Sequence, residues 1–299
     1  MNIRSILSYC ILYLEDRLGI HIFPSHIYLR AAYFAASHRT LNLIKPSAFT
    51  EKLQWMKLND KNPQYAYISD KLLVKEYIKN KVGDRFVVDT LGYWDRVQDI
   101  NLNKLPTKFV IKCTHDCGSM KAVNQHTDDW TKITHQLSNC LKRNYYYVTR
   151  EWCYKNIKPR IMVEPFLEDK EGKLWDYKFF CFSGKVHFFK IDFDRFNNHR
   201  ANYYSPNGSY LNFGERDYPR DPFRIANMPI ELSEMISIAE KLSEDFYFVR
   251  VDMYNIDGTI KVGELTLYPG SGLLRYEPDE WDYSIGALLN LPADYISKG

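Results

Sequence analysis

Two acids and a hydroxyl stand at mirrored places around a turn near the C-terminus. Asp252 lies in Arg250-Val251-Asp252, and Glu264 and Thr266 lie in Gly263-Glu264-Leu265-Thr266. Between them, Asp257-Gly258 is a hairpin-turn pair. Brought together, two carboxylates and a hydroxyl beside an arginine make a hard oxygen site suited to magnesium on a polyphosphate. Register decides whether they meet. A two-residue turn pairs 252 with 263 and sends the carboxylates to opposite faces. A three-residue loop with Gly258 in the left-handed position pairs 252 with 264 and assembles the site. An edge hairpin with solvated acids is the alternative. Just beyond, Pro269-Gly270-Ser271-Gly272 offers backbone amides with little steric cover, able to approach an anionic intermediate closely.

Lysines inside apolar strands form a second set. Lys112 interrupts Lys108-Phe109-Val110-Ile111-Lys112-Cys113, where a charge is unusual without a partner. It precedes the Gly118-Ser119 loop, so an ammonium and free amides converge on phosphate oxygens. Lys178, in Asp176-Tyr177-Lys178-Phe179-Phe180, repeats the pattern, with snorkelling surface lysines as the alternative. The run from Met162 to Glu168 is an apolar strand that leaves through Glu164 and Pro165. It is similar to an adenine-binding connector, in which backbone groups read the base edge and a glutamate takes the ribose or the amino group. Asp192, Asp194, Arg195, His199 and Arg200 cluster near a loop. There Arg195 suits a bidentate carboxylate contact and His199 a proton shuttle. No Ser-His-Asp or Cys-His order is present, and a Walker phosphate loop is absent. Asp192-Phe193-Asp194 is the one candidate for the Asp-x-Asp site of a glycosyltransferase.

These residues need elements to position them. Helical spacing runs over 3–17 and 26–38, and a third helix is expected around 49–55. A stronger helix covers 70–81, with Asp70 as N-cap and Gly83 as stop. Strands are expected at 108–113, 160–168, 174–183 and 185–193, with a helix over 127–143. A long loop is expected over 203–228, rich in Asn, Pro, Gly and Arg. A helix over 231–245 and two strands, 247–256 and 259–267, close the pattern. Helices mixed with antiparallel hairpins make the fold class α+β.

The chain has 299 residues, 45% hydrophobic and 26% charged, an ordinary globular composition. Its formal charge of +3, with both signs interspersed, is too small to imply a basic nucleic-acid surface and reads as a solvated mixed-charge one. Six cysteines show no paired spacing; Cys113 and Cys117 flank His115 without the second half of a zinc site. They read as reduced thiols of a cytoplasmic protein. The apolar run Ile6 to Leu14 is less than half of the roughly 20 residues a membrane span needs. It reads as a buried or partner-facing helix, with peripheral membrane contact as the alternative.

Taken in order, several motifs resemble the TupA-like ATP-grasp proteins found in bacterial gene clusters for teichuronopeptide, capsule and other surface polysaccharides. These are Phe49-Thr50-Glu51-Lys52-Leu53-Gln54-Trp55, Ser69-Asp70-Lys71, Phe109 to Cys113, Asp176 to Phe180, and Gly263 to Thr266 with Pro269 to Gly272. The resemblance covers roughly residues 40–292. It implies two α+β subdomains, 67–165 and 166–299, clamping ATP behind a helical segment, 1–66. It implies ATP and magnesium, as two ions, with Asp252, Glu264 and Thr266 as metal ligands; Thr266 stands where many relatives have Asn. Lys71 and Lys112 become phosphate-contacting lysines, and Gly118-Ser119 the lid, which reads His115-Asp116-Cys117-Gly118 here where relatives usually read His-Gly-Ser-Gly. Glu164, Phe166 and Leu167 become the adenine connector. Lys178 becomes a further nucleotide-side, ATP-binding lysine and a catalytic residue, and Arg250 the catalytic arginine near the transferred phosphate, with Gly270, Ser271 and Gly272 holding an acyl phosphate. The implied activity is carboxylate–amine ligation, a uronic acid of a surface glycan joined to an amino acid or amine. Alternatives are a sugar kinase on the same site, a glycosyltransferase of a polysaccharide cluster, or a non-catalytic nucleotide-binding partner.

Overall fold

The computed structural model describes residues 3–19, 21–172, 174–193 and 199–292. The chain opens with α1 (Ile3–Leu12), α2 (Ser25–Ser37) and α3 (Phe49–Asn59), then the short α4 (Gln64–Ser69) and α5 (Val74–Val82). Asp70 accepts from the amides of Leu72 at 2.8 Å and Leu73 at 3.3 Å, so it caps the turn entering α5, and Gly83 ends the helix with φ 112°. An antiparallel sheet follows, made of β1 (Gly92–Trp94), β2 (Lys108–Cys113), β3 (Lys121–Asn124) and β4 (Ile161–Pro165) in spatial order β1-β4-β2-β3. Before its last strand come α6 (Trp130–Leu141) and α7 (Tyr146–Thr149). Alternation sorts this small sheet into two faces. Phe109, Ile111, Cys113, Ile161 and Val163 join Ile133 and Leu137 of α6 in a core. Val110, Lys112 and Glu164 point the other way, into a cavity.

The larger antiparallel sheet contains β5 (Asp176–Phe182), β6 (Lys185–Phe193), β7 (Arg200–Tyr204), β8 (Tyr210–Leu211), β10 (Phe248–Ile256) and β11 (Thr259–Thr266), in spatial order β11-β10-β5-β6-β7-β8. The short β9 (Gly214–Glu215) pairs with β12 (Tyr276–Glu277); α8 (Leu232–Ser243) and α9 (Glu280–Leu288) complete the chain's regular elements. Every residue of β5 is buried, because both faces of the sheet are covered. On one face, Met235, Ile238, Ala239 and Leu242 of α8 lie over β5, β6 and β10. The other face changes character along its strands. At one end Phe180, Phe182, Phe188 and Phe248 pack with Phe49 of α3. At the other end stand Lys178, Lys190, Asp192 and Asp252, also buried.

The hairpin of β10 and β11 differs from the expected geometry in a way that preserves its result. The turn has two residues, with Ile256 opposite Thr259 and both Asp257 (φ 50°) and Gly258 (φ 88°) left-handed, as a type I′ turn requires. Unbroken, that register would oppose 252 to 263. A β-bulge between Asp252 and Met253 takes up Gly263 as the extra residue, so Asp252 pairs with Glu264 and Arg250 with Thr266. A side chain at position 263 would meet the Tyr254 ring at 2.9 Å, so glycine is needed for the bulge to lie flat against that ring. The three-residue loop is therefore corrected to a tight turn plus a bulge.

Other departures concern elements held by distant partners. The expected loop over 203–228 contains part of β7 and all of β8 and β9. Ala201, Tyr203 and Tyr204 are fully buried against β6, a pairing that no local composition signals. The helices α4 and α9 also lie outside the expected set. All six cysteines are free thiols. No helix among the described residues is long and apolar enough to cross a membrane.

Candidate functional site

Side chains at alternate positions of β10, β5 and β11 share one face, and this builds the site. Arg250 Nε and Nη2 donate to the two oxygens of Asp252, each at 2.6 Å, a bidentate pair. The same Nη2 lies 3.2 Å from Thr266 Oγ1 and 3.4 Å from Glu264 Oε1, and the threonine hydroxyl donates to Glu264 at 2.9 Å. Lys178, directly opposite Asp252 on β5, sends its ammonium to Asp176, to Asp252 at 3.2 Å and toward Asp192 at 3.4 Å. Lys190, opposite Lys178 on β6, pairs with Glu215 at 2.9 Å and lies 3.5 Å from Asp192.

The electrostatics follow from burial set against partners. Burial opposes the charge of Lys178, but Asp176, Asp252 and Asp192 outweigh it and hold the ammonium above its ordinary range. Burial likewise opposes the Glu264 carboxylate, yet Arg250, Lys71 and Lys178 bring it down to about 2. Asp252 goes the other way, because burial and the neighbouring acids exceed the pull of Arg250 and Lys178. Across this patch five carboxylates (Asp176, Asp192, Glu215, Asp252, Glu264) are interleaved with Lys178, Lys190 and Arg250, and Lys71 acts on Glu264 as well. Among the described residues no three acid, imidazole or thiol groups close into a metal cage. The donors are hard oxygens, two acids and a hydroxyl, of a kind that suits magnesium arriving with phosphate and water ligands of its own; Glu264 is the exposed one, while Arg250 holds both oxygens of Asp252.

Across from this patch the small sheet supplies the second wall. Lys112 Nζ lies 2.6 Å from Glu164, which Lys75 of α5 also reaches at 2.7 Å; Lys75 further donates to the Val88 carbonyl at 2.5 Å. Burial works against the Glu164 charge, but the two ammoniums hold it below the usual carboxylate range. Glu164 is thereby paired with both ammoniums on the cavity side of the small sheet. Lys75 was not anticipated; its only sequence signal is its place one turn after Lys71. Between the walls is a cavity of about 570 Å³, bounded by Lys112, Lys121, Phe166, Leu167, Trp175 and Tyr254 among others. Met120, Phe166 and Leu174 each leave a third or more of their surface exposed there, a flat apolar space with a polar floor.

The remaining expected residues fall in several places. Lys71 donates to the Asp116 carbonyl and lies close enough to Glu264 to lower its pKa. The Ser119 hydroxyl accepts from the Cys113 amide at 2.8 Å and donates to the Asp116 carboxylate. Asp116 is thereby turned into its own loop, and Gly118 (φ 99°) makes the reversal with open space around it. His199 sits where β7 begins, its Nε2 3.4 Å from Asp192 and its ring 4.2 Å from that of Tyr218. It is therefore part of the Asp192 network, at the far side of the sheet order from the Pro269–Gly272 turn. Arg195 and Asp194 lie outside the described residues. In the turn, Gly270, Ser271 and Gly272 are all left-handed. Sequence reasoning missed what holds them: Gln54 Nε2 donates to the carbonyls of Ser271 (3.0 Å) and Gly272 (2.7 Å), and Lys57 Nζ to Ser271 O and Oγ, both at 2.8 Å.

No curated protein matches the chain. Among solved structures it is similar to the D-alanine–D-alanine ligase of Bacillus anthracis complexed with ATP, at 15% identity and a TM-score of 0.40 over 67% of this chain and 54% of that one. It is similar also to the Helicobacter pylori D-alanine–D-alanine ligase (17% identity, TM-score 0.39, 75% of this chain and 61% of that one). A third is the ATP-grasp ligase PsnB complexed with minimal precursor (10% identity, TM-score 0.40, 73% and 59%). The chain spans little more than half the length of these structures. A family description, TupA-like ATP-grasp, matches residues 51–290, and by that match the chain belongs to the TupA-like ATP-grasp family.

Proposed function

We propose that the chain is an ATP- and magnesium-dependent carboxylate–amine ligase acting on a uronic acid of a surface glycan, or its precursor, with an amino acid or amine as second substrate. The observation that carries this reading is the Arg250–Asp252–Glu264–Thr266 constellation beside the cavity that Lys112 faces. In this reading Phe166 and Leu167 contact adenine, while Lys112 and Lys71 contact phosphate oxygens. Units within 67–165 and 166–299 clamp the nucleotide between them. Asp252, Glu264 and Thr266 would hold magnesium, which when bound offsets charge on the transferred phosphoryl group. A carboxylate oxygen of the substrate attacks the γ-phosphorus and ADP leaves. The amine nitrogen then attacks the acyl carbon, phosphate departs, and the nitrogen loses a proton to give the amide. Arg250 and the amides of Gly270 and Gly272 hold the acyl phosphate, the Ser271 amide being bonded to the Tyr268 carbonyl at 2.8 Å.

The test incubates the protein with Mg-ATP, a panel of uronic acids and hydroxylamine. Release of ADP and phosphate with hydroxamate formation is the expected result. A stable sugar phosphate without free phosphate would make the protein a kinase using the same site. Absence of both nucleotide binding and turnover would overturn either reading.

A further inference from the structure

The turn that this reading assigns to the acyl group is tied to the N-terminal segment through one continuous set of buried polar contacts. Glu15 is fully buried just beyond α1, and accepts from His21 Nδ1 and the Phe23 amide, each at 2.9 Å. Its third partner is Arg150 Nη2 at 2.5 Å. Arg150 is itself buried, with a left-handed backbone (φ 57°), and its guanidinium lies over the Tyr28 ring at 4.6 Å. Fixing Arg150 fixes its neighbours. The Thr149 carbonyl accepts from Lys57 at 2.9 Å, and the same ammonium makes both contacts to Ser271. Glu151, on the other side of Arg150, is buried as well.

We propose that Glu15 and Arg150 are positioning residues for the Pro269–Gly272 turn, acting through Thr149 and Lys57. Three consecutive left-handed residues, one of them a serine, are a strained arrangement that persists only where the surroundings over-determine it. Lys57 supplies that restraint, and its third donor must find Thr149 O in place. Glu15 lies before the matched family segment, whereas Arg150, Lys57 and Ser271 lie within it. The N-terminal segment would therefore complete the acyl subsite rather than merely precede it. The functional half of this inference rests on the ligase reading; the structural half does not.

The experiment compares wild type with Glu15→Gln, Arg150→Lys and Lys57→Met by amide hydrogen exchange and by kinetics. Glu15→Gln should speed exchange at 270–273 roughly tenfold, as expected for one lost charged contact, with the β10 and β11 amides unchanged. Lys57→Met should speed it further, and Arg150→Lys, which keeps a cation against Glu15, should change it least. In turnover, Glu15→Gln should raise KM for the carboxylate substrate while KM for ATP stays as in wild type. Unaltered exchange at 270–273 in Glu15→Gln would overturn the proposal, and so would acceleration spread evenly over the chain. If wild type forms no hydroxamate, the ligase reading fails alone, because the exchange measurement still decides the coupling.

Discussion

Glu264 carries the open half of the acid pair: 43% of its side chain is exposed, against 4% for Asp252. Glu264→Gln keeps its shape and its contact with Thr266 but removes the charge. We expect turnover to fall on the order of a thousandfold, the scale seen when one charge-stabilising group is lost. Melting should change little, because a partly exposed, screened carboxylate contributes modestly to stability. Activity surviving in that variant would remove Glu264 from the metal site. Lys57 makes a pH prediction. Burial brings its ammonium down to about 8, against the opposing pull of Glu151 and Cys153. Folded Lys57 thus loses its proton before the unfolded lysine does. Between about pH 8 and the ordinary lysine value the unfolded chain binds more protons, so this group favours folding progressively as pH rises. The contact to Ser271 moves the opposite way, since a neutral amine donates more weakly. KM for the carboxylate should rise above pH 8 while global stability, as far as Lys57 governs it, improves. A KM flat from pH 7 to 9.5 would contradict this.

At the scale of elements, the β10–β11 hairpin depends on its bulge. Gly263→Ala places a methyl group 2.9 Å from the Tyr254 ring. The expected outcome is a loss of about 1–3 kcal/mol, typical of overpacking, together with weaker Mg-ATP binding as Glu264 slips from Asp252. Denaturant melts and nucleotide titration check both; unchanged values would mean the strand absorbs the methyl group without changing register. The hairpin also marks how far the sequence was legible. Asp257-Gly258 announced the turn, and the placing of Arg250, Asp252, Glu264 and Thr266 around it announced the candidate site, but not the register that puts the two acids on one face. The bulge was not visible, because it depends on a ring packing over a glycine. Lys112 and Lys178 were recognisable as charges within apolar strands, and Asp70 as a cap. The partners of those lysines were not, since Glu164 and Asp192 reach them only through sheet pairing. Gln54 and Lys57 read as ordinary polar positions of a helix, their contacts to the 270–272 turn lying more than 200 residues away. The strand β7 escaped for the same reason.

At the scale of the whole molecule, two antiparallel sheets present unlike walls to a shared cavity, one apolar with Lys112 and Glu164, the other a floor of buried charge. A ligand that bridges such walls stabilises the folded chain by mass action. At a hundred times its Kd, Mg-ATP should add about 2.7 kcal/mol, or roughly 4 °C in Tm for a chain of this size. The shift should shrink when a chelator removes magnesium, and its absence at millimolar nucleotide would argue against the cavity as the nucleotide site. The cavity wall has one more consequence, an optical one. Trp175 lines it, edge-on to Phe193 at 6.0 Å, whereas Trp55, Trp94, Trp130, Trp152 and Trp281 lie elsewhere. A purine entering beside that indole would quench its emission, and Trp175→Phe would silence the change while leaving the other five emitters intact. On the proposed reading, Trp175 is an intrinsic fluorophore on the cavity wall, through which nucleotide arrival can be timed without any label.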